Sequence, residues 1–364
     1  MGYVQEKILC NQPSFSPVAI KRGEWKDGMI VRMPNWLGDA VMAVPALLQL
    51  RKVIPKNCGL FVIVPPGLED LFESMKFVDV VVALHQKHSK WSPDDKKTVG
   101  KLRAGVGVLF NNSLRDAFYF KVCGIKNVFG AAARGRSIFL TRAFKFPKIK
   151  NKKLNKLHHT ARYMAIAYAL GAPEWNGELP DFSLHADPEV MEHSVSEAVN
   201  ASKLLVLAPG AAYGEAKRWP AENFRNVLNY WLEQGGNAAV VGTKAEKSVA
   251  EEVVAGIESG QVYNLAGKTS LNELLLLLSK SDYCVANDSG IMHLAALLGV
   301  AGTAVFGSTD PTSTSPVSDK WNILYTSEEC SPCFKRTCPF DSYKCLKNIS
   351  AEQVIGTIKK TLSL

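Results

Sequence analysis

Asp39 is the first of several polar residues that follow short apolar segments of the sequence and have side chains suited to catalysis. It lies in MPNWLGDAVMAVPAL, just behind the apolar segment MIVRM. A carboxylate placed beyond the end of a strand can accept a proton from an attacking hydroxyl group. Asp also caps helices, so both roles are open for Asp39. The turn carries no G-x-G-x-x-G pattern, which disfavours a dinucleotide site.

Two loops of the C-terminal half contain further candidates. The segment APGAAYGEAKRWPAENF contains Gly210, where the main chain can approach a ligand closely, and Lys217, which adds positive charge. A solvent-exposed loop is the alternative for this segment. Further along, VVGTKAEKSV places Thr243 and Glu246 behind another apolar segment, in positions that suit contacts to adenine or ribose.

The segment VANDSGIMHLAAL, residues 285–297, has the form of a strand that turns into a helix. Ser289 and Gly290 would place free main-chain N–H groups at the helix N-terminus, which favours a phosphate. Asp288 repels a phosphate, so we expect it to accept hydrogen bonds from sugar hydroxyls or to cap the helix. His293 could reach the same phosphate or pack in the core, and both possibilities are open.

The elements that must position these residues alternate along the chain. The apolar segments are MIVRM, GLFVIV, VDVVVAL, VGVLF, KLLVLAP, NAAVVG, DYCVAN and VAGTAVFG. Helical periodicity occupies residues 43–53, 113–124, 155–170, 221–234, 245–258 and 270–279. Such alternation predicts parallel sheets covered by helices on both sides. Because ligands of these sheets bind beyond the carboxyl ends of the strands, the candidate residues are well placed.

Two domains are expected, because 364 residues exceed one core of typical size and the pattern restarts near residue 203. We predict an N-terminal extension over 1–27, two Rossmann-like domains over 28–175 and 176–349 that leave a cleft between them, and a terminal helix over 350–364. The linker is expected around 171–187, where Gly, Pro and Trp interrupt the periodicity.

Composition and charge limit the classes of function. With 47% hydrophobic and 21% charged residues, the chain is typical of folded globular proteins. The net charge is +9, and no Asp or Glu occurs between Ala117 and Pro173, where the following residues are basic: Lys121, Lys126, Arg134, Arg136, Arg142, Lys145, Lys148, Lys150, Lys152, Lys153, Lys156 and Arg162. A region of one sign favours an anionic partner such as a phosphorylated ligand or an anionic lipid. It lacks the aromatic spacing of base-stacking surfaces, so no nucleic-acid partner is expected.

Targeting signals and cysteines point to the cytoplasm. The N-terminus lacks a basic region followed by an apolar core, and the uncharged run 290–307 is divided by His293 and two glycines. The eight cysteines are therefore expected to be reduced. Four of them, Cys330, Cys333, Cys338 and Cys345, have a spacing that permits zinc, although it matches no standard zinc motif, and structural thiols are the favoured interpretation.

Six motifs in order resemble the ADP-heptose:lipopolysaccharide heptosyltransferases of glycosyltransferase family 9, which have the GT-B fold. They are MPNWLGDAVMAVPAL, NSLRDAFYF, HHTARYMAIAYALG, PGAAYGEAKRWP, NDSGIMHLAA and FGSTDPTSTSP. The resemblance covers the chain from about Met29 to Leu362. Within the family it is closest to the members that add the second inner-core heptose, so ADP-heptose is the expected donor and a phosphorylated heptosyl-Kdo-lipid A the expected acceptor.

The resemblance also implies roles for matching residues. Asp39 would be the base that deprotonates the acceptor hydroxyl, in a single displacement that inverts the anomeric centre. Lys217, with the main chain at Ser289 and Gly290, would neutralise the leaving diphosphate, and Asp288 would hold donor hydroxyls. In the basic first domain, the expected acceptor contacts are Asn35, Arg134 and Arg136. No cofactor or catalytic metal is expected, and the protein would lie at the cytoplasmic surface of the inner membrane.

Two alternatives differ from this interpretation. One keeps the fold and donor but changes the acceptor, as in a transferase of the first heptose or another family 9 enzyme. The other is a non-catalytic protein that closes two Rossmann-like domains on a nucleotide or a nucleic acid.

Overall fold

The computed structural model describes residues 8–9, 12–85, 90–147, 157–187 and 189–364. The chain divides into two compact units, Met1–Ser183 and Leu184–Leu364. Among the described residues, no helix combines the length and the apolar character needed to cross a bilayer.

Six parallel strands form the sheet of the first unit. The strands are β1 (Gly28–Arg32), β2 (Gly59–Val64), β3 (Val80–Ala83), β4 (Val106–Leu109), β5 (Asn127–Ala131) and β6 (Arg142–Phe144). Their order across the sheet is β3-β2-β1-β4-β5-β6. The direction of winding reverses between β1 and β4, and ligands of such sheets bind beyond the carboxyl ends at that point.

Five of the described helices of the first unit connect these strands, and a sixth follows the last strand. They are α1 (Leu37–Met42), α2 (Val44–Arg51), α3 (Glu69–Glu73), α4 (Pro93–Lys101), α5 (Leu114–Val122) and α6 (His159–Ala169). Local sequence sets where several of them begin. Ser92 and Ser113 precede α4 and α5, and each hydroxyl accepts a hydrogen bond from a main-chain N–H of the first turn.

The second unit repeats the same arrangement. Its strands are β7 (Leu204–Ala208), β8 (Asn237–Val240), β9 (Val262–Asn264), β10 (Tyr283–Asn287), β11 (Ala301–Phe306) and β12 (Trp321–Tyr325). They are all parallel, in the order β12-β11-β10-β7-β8-β9. Here the winding reverses between β7 and β10, which makes the carboxyl ends of these two strands the expected ligand position.

The described helices of the second unit are α7 (His193–Asn200), α8 (Ala221–Glu233), α9 (Lys247–Val254), α10 (Leu271–Lys280), α11 (Gly290–Leu297), α12 (Pro311–Thr314), α13 (Lys344–Lys347) and α14 (Ala351–Leu362). The terminal helix begins as the sequence predicts. Ser350 accepts from the Gln353 N–H, and the Gln353 side chain accepts from the Ser350 N–H.

Central strands account for the apolar runs of the sequence. Every residue of β1, β4, β7 and β10 is buried, as expected for parallel strands covered on both sides. In the second unit, Trp219, Phe224 and Trp231 pack beneath the sheet with the apolar side of α14. These buried strands hold the loops that follow them in fixed positions.

Four strands, β5, β6, β9 and β12, were not predicted from the sequence. Three of them, β6, β9 and β12, lie at the edges of the sheets, where a strand has one neighbour. Their residues are mostly half-buried, so they lack the continuous apolar character that marks a central strand.

The division between the units falls after Ser183, within the predicted linker, rather than after Trp175. The intervening segment belongs to the first unit because it pairs with the turn that follows α3. Phe182 bridges Met75, and the Ser183 N–H donates to the Ser74 carbonyl. Part of the predicted N-terminal extension is also integrated into the first unit, since Trp25 is buried and the Val18 N–H donates to the Ala169 carbonyl.

Candidate functional site

A cavity of about 770 Å³ opens in the first unit at the carboxyl ends of β1 and β4. Its walls include Asn35 and Asp39, which follow β1, and Asn111 and Ser113, which follow β4. Helix α6 contributes His159 to the same cavity. The cavity therefore lies where the strand order predicts a ligand.

Asp39 is on the first turn of α1 and presents a partly exposed carboxylate to this cavity. Its Oδ1 lies 3.0 Å from Nδ1 of His159, and the two side chains are 31% and 36% exposed. The His159 N–H thus fixes one carboxylate oxygen of Asp39 and leaves the group accessible to a substrate. Burial, and after it the negative charge of Asp39, raises the pKa of the neighbouring Tyr163. Sequence reasoning missed His159, although it lies in the quoted motif HHTARYMAIAYALG.

A buried ion pair forms the base of the cavity. Arg32, the last residue of β1, donates from Nε to Asp116 Oδ2 at 3.0 Å, and both side chains are almost completely buried. Trp91 Nε1 donates to Asp116 Oδ1 at 3.1 Å, and Asn111 Nδ2 donates to Oδ2 at 2.5 Å. Burial lowers the pKa of Arg32, and the charge of Asp116 opposes that effect.

The three predicted acceptor contacts have different positions. Asn35 and Arg134 line the cavity, and Asn35 accepts a hydrogen bond from Arg32 at 2.7 Å. Arg136 is fully buried and does not line the cavity; it donates to the Ala131 and Asn111 carbonyls at 2.8 and 2.5 Å. The structure therefore does not place Arg136 with the other two residues at the cavity, and its guanidinium supports the main chain at the ends of β4 and β5. Burial lowers the pKa of Arg136 to about 10.

The remaining charges of the cavity are mainly positive. Arg115, Arg134 and Arg162 line it, whereas its acidic residues are Asp39 and Asp116, and Asp116 is already paired with Arg32. Such a cavity favours an anionic ligand. Five of the basic residues counted in the sequence lie outside the described residues, namely Lys148, Lys150, Lys152, Lys153 and Lys156.

In the second unit, Lys217 and Asp288 meet at the carboxyl ends of β7 and β10. Lys217 Nζ lies 2.5 Å from Asp288 Oδ2, with 13% and 4% of the side chains exposed. Thr309 Oγ1, which follows β11, donates to the same oxygen at 2.6 Å. Lys217 also lies 4.9 Å from the ring centre of Tyr213. The sequence placed both residues at this end of the sheet but did not predict that they pair.

Helix α11 begins beside this ion pair. Ser289 is its N-cap, and Gly290 is its first residue. The hydroxyl of Ser289 is buried and has no hydrogen-bond partner among the described residues. A buried hydroxyl at a helix N-terminus is suited to donate to an anionic ligand. His293 is buried on the same helix, with 4% of its surface exposed.

Gly210 and Glu246 lie in contact beyond β7 and β8. A Cβ atom on Gly210 would lie 2.2 Å from the Glu246 carboxylate, so a larger residue would displace that group. Thr243 donates to Glu246 Oε2 from its N–H at 2.8 Å and from its hydroxyl at 2.9 Å. These contacts hold the buried Glu246 at the carboxyl end of the sheet, as the sequence predicted for its position.

The four C-terminal cysteines are free thiols. Burial, followed by the nearby Cys330, Cys333 and Cys338, raises the pKa of Cys345 to about 11. Within the described part of the chain, no group of three or more His, Cys, Asp or Glu side chains is arranged to hold a metal ion.

Comparison with known proteins identifies the class to which this fold and these sites belong. The sequence model of glycosyltransferase family 9 (heptosyltransferase) matches residues 96–344, which is more than half of the chain. The chain belongs to this family, and the resemblance seen in the sequence is confirmed. It is a glycosyltransferase, so the non-catalytic alternative is set aside.

Individual relatives are similar over most of their length. A lipooligosaccharide heptosyltransferase 2 of Campylobacter jejuni is 28% identical over 337 residues, which cover 91% of this chain and 98% of the relative. A lipopolysaccharide heptosyltransferase 1 of Pseudomonas aeruginosa is 25% identical, with coverages of 84% and 85%. The structure of the E. coli ADP-heptose lps heptosyltransferase II superposes with a TM-score of 0.71 at 21% identity, covering 92% of this chain and 98% of that chain. The predicted α/β fold of the GT-B class is confirmed.

Removal of the buried carboxylate should strongly destabilise the first unit. Asp116→Ala leaves Arg32 buried without its partner, and we expect the free energy of unfolding to fall by about 3–5 kcal/mol. Denaturant unfolding followed by tryptophan fluorescence measures the change.

The matched control is Asp27→Ala. Asp27 pairs with Arg103 at 3.5 Å, and their side chains are 48% and 74% exposed, so its loss should change stability little. Equal effects of the two substitutions would contradict a structural role for the buried pair.

Proposed function

We propose that this glycosyltransferase moves L-glycero-D-manno-heptose from ADP-heptose to the inner core of lipopolysaccharide, as the second heptose on heptosyl-Kdo-lipid A. Family membership and the heptosyltransferase 2 relatives support the heptose chemistry. At the level of residues, one observation carries the proposal: an accessible carboxylate, Asp39, lies in a cavity whose other lining charges are mainly positive.

Asp39 is proposed to be the general base. A carboxylate within reach of the acceptor hydroxyl removes its proton as the oxygen attacks the anomeric carbon of the donor. Oδ1 is held by His159, so Oδ2 is the oxygen proposed to take the proton. A single displacement of this kind inverts the anomeric centre. Arg115, Arg134 and Arg162 are proposed to bind phosphate or carboxylate groups of the acceptor.

Donor binding is proposed for the second unit. Negative charge builds on the departing ADP in the transition state, so fixed positive groups there lower the barrier. Lys217, the Ser289 hydroxyl and the N–H groups at the start of α11 are suited to that task. Because these groups supply the positive charge, the proposed reaction uses no metal or other cofactor.

Two residues of the donor site receive narrower roles. Lys217 and Thr309 both engage Asp288 Oδ2, so Oδ1 is the oxygen proposed to accept from a sugar hydroxyl. Glu246, held by Thr243 beside Gly210, is proposed to contact the ribose. His293 is proposed to stabilise the packing of α11.

A different acceptor is the second candidate. The Pseudomonas aeruginosa heptosyltransferase 1 is similar over most of the chain, so transfer of the first heptose onto Kdo-lipid A is the competing activity. In either case the acceptor is a lipid, and we propose that the protein works in peripheral contact with the cytoplasmic face of the inner membrane.

Incubation with ADP-heptose and lipid A acceptors distinguishes these activities. One acceptor carries Kdo alone and the other carries Kdo and one heptose, and products are identified by mass spectrometry. We expect one heptose to be added to the second acceptor and none to the first. Addition to the first acceptor alone would favour the competing activity, and no addition to either would reject heptose transfer to this core.

The Asp39→Asn variant tests whether Asp39 is the general base. Its amide cannot accept the proton, so we expect turnover to fall by at least about 100-fold, while ADP binding measured by calorimetry stays near that of the wild type. Unchanged turnover would reject Asp39 as the base.

His159 is expected to position Asp39 through its Nδ1–H group. Asparagine places an amide N–H near the position of Nδ1, so His159→Asn should retain most of the turnover, whereas His159→Leu should lose up to about 100-fold with little change in KM for ADP-heptose. Steady-state kinetics of the two variants provide the measurement. If asparagine is as slow as leucine, the imidazole does more than hold Asp39; if leucine is as fast as the wild type, the contact has no role.

Lys217 is expected to bind the diphosphate. Lys217→Ala should weaken the binding of ADP more than the binding of adenosine, because adenosine lacks the phosphates. Calorimetry with both ligands measures the two losses. Lys280→Ala, at the exposed end of α10, is the matched control and should leave both affinities unchanged. Equal losses for ADP and adenosine would argue against a diphosphate contact.

A further inference from the structure

Helix α5 exposes a line of large apolar side chains. Leu114, Phe118 and Val122 are four residues apart, so they lie along one side of the helix. Their exposed fractions are 42%, 44% and 55%, although the opposite side of α5 is packed in the core of the first unit. Single exposed apolar residues are ordinary, but a continuous line of them is typical of an interaction surface.

The line continues onto the neighbouring 3-10 turn, Arg136–Phe139. Phe118 contacts Phe139 at 5.5 Å between ring centres, which joins the turn to the helix. Ile138, on this turn, is 81% exposed. We call Leu114, Phe118, Val122 and Ile138 together the apolar stripe. The turn is held in place by the buried Arg136 guanidinium, so the stripe has a rigid support.

Charges next to the apolar stripe are positive. Arg115 and Lys121 belong to α5, and Lys126 and Arg134 lie on the loops that follow. The sequence has no acidic residue between Ala117 and Pro173, and the one carboxylate of α5, Asp116, is buried against Arg32. An apolar surface bordered by bases matches an anionic bilayer, where apolar side chains enter the interface and bases contact the headgroups.

A second copy of this chain fits the stripe less well. A two-fold dimer places the same surface of both copies in contact, so the bases of one copy would approach the bases of the other. Such repulsion disfavours a dimer, whereas the same charges favour a surface of anionic lipids.

We propose that the apolar stripe and its flanking bases dock the first unit on the surface of an anionic membrane. The docking surface is continuous with the cavity, because Leu114 and Arg115 line both. A lipid-linked acceptor can therefore place its sugars in the cavity while its acyl chains stay in the bilayer. This last step rests on the proposed function, while the docking itself does not.

Flotation with lipid vesicles tests the proposal on the full chain. One set of vesicles contains phosphatidylcholine alone, and the other contains phosphatidylcholine with phosphatidylglycerol. We expect the wild type to float with the anionic vesicles, to bind the neutral ones weakly, and to be released by high salt, which screens the bases. Failure of the wild type to bind anionic vesicles would overturn the proposal.

Substitutions by uncharged residues distinguish the contribution of the apolar stripe to vesicle binding from the contribution of the flanking bases. The double variant Val122→Ser with Ile138→Ser should bind anionic vesicles at least about tenfold more weakly, because two exposed apolar groups are lost. The matched control is Val190→Ser in the second unit, whose side chain is also 81% exposed, and it should bind like the wild type. Lys126→Gln should reduce the preference for anionic vesicles, and Lys280→Gln should not.

Two further measurements identify other outcomes. Equal vesicle binding by the double variant and the wild type overturns the proposal. If the wild type and the Val190→Ser control are dimers and the double variant is a monomer, the stripe binds a second copy of the chain instead. Heptose transfer to a lipid-free acceptor sugar is assayed in parallel and should be unchanged in the double variant. Absence of transfer in every protein, with vesicle binding as expected, rejects the proposed function and leaves the docking surface intact.

Discussion

The cavity of the first unit depends on the buried pair of Arg32 and Asp116. It joins the end of β1 to the first turn of α5 and so connects the two strands between which the sheet reverses its order. A buried ion pair is tolerated only when its remaining hydrogen-bonding groups are satisfied. Here Asn35 accepts from Arg32, while Asn111 and Trp91 donate to Asp116. The same three residues line the cavity. The requirement to satisfy the pair therefore shapes the site.

The second unit has a lysine–carboxylate pair where the first unit has an arginine–carboxylate pair, and its surroundings differ. Lys217 and Asp288 join the ends of β7 and β10, and Thr309 donates a further hydrogen bond to the Asp288 carboxylate. The adjacent Ser289 hydroxyl, however, is buried without a partner among the described residues. The two units share a topology. In the first, the hydrogen-bonding groups of the buried ion pair are satisfied, and in the second, a hydroxyl donor beside the ion pair is available for an anion.

The basic residues between Ala117 and Pro173 have different environments in the structure. Arg136 donates to two main-chain carbonyls, while Arg134 and Arg162 line the cavity. Lys126 lies on the exposed side of the same unit, near the apolar stripe. A charge count along the chain predicts an anionic partner but not which bases meet it, because burial decides whether a guanidinium faces a ligand or the main chain.

The sequence by itself determined the alternation of strands and helices, the family, and the loops that carry Asp39, Lys217 and Ser289. Those features are local, since a residue just after a buried parallel strand is at the carboxyl edge of the sheet wherever that strand lies. The tertiary structure alone decided the pairing of side chains: His159 meets Asp39 across 120 residues, and Arg32 meets Asp116 across 84. Such contacts depend on strand order and on which side of a helix is buried, and local periodicity contains neither.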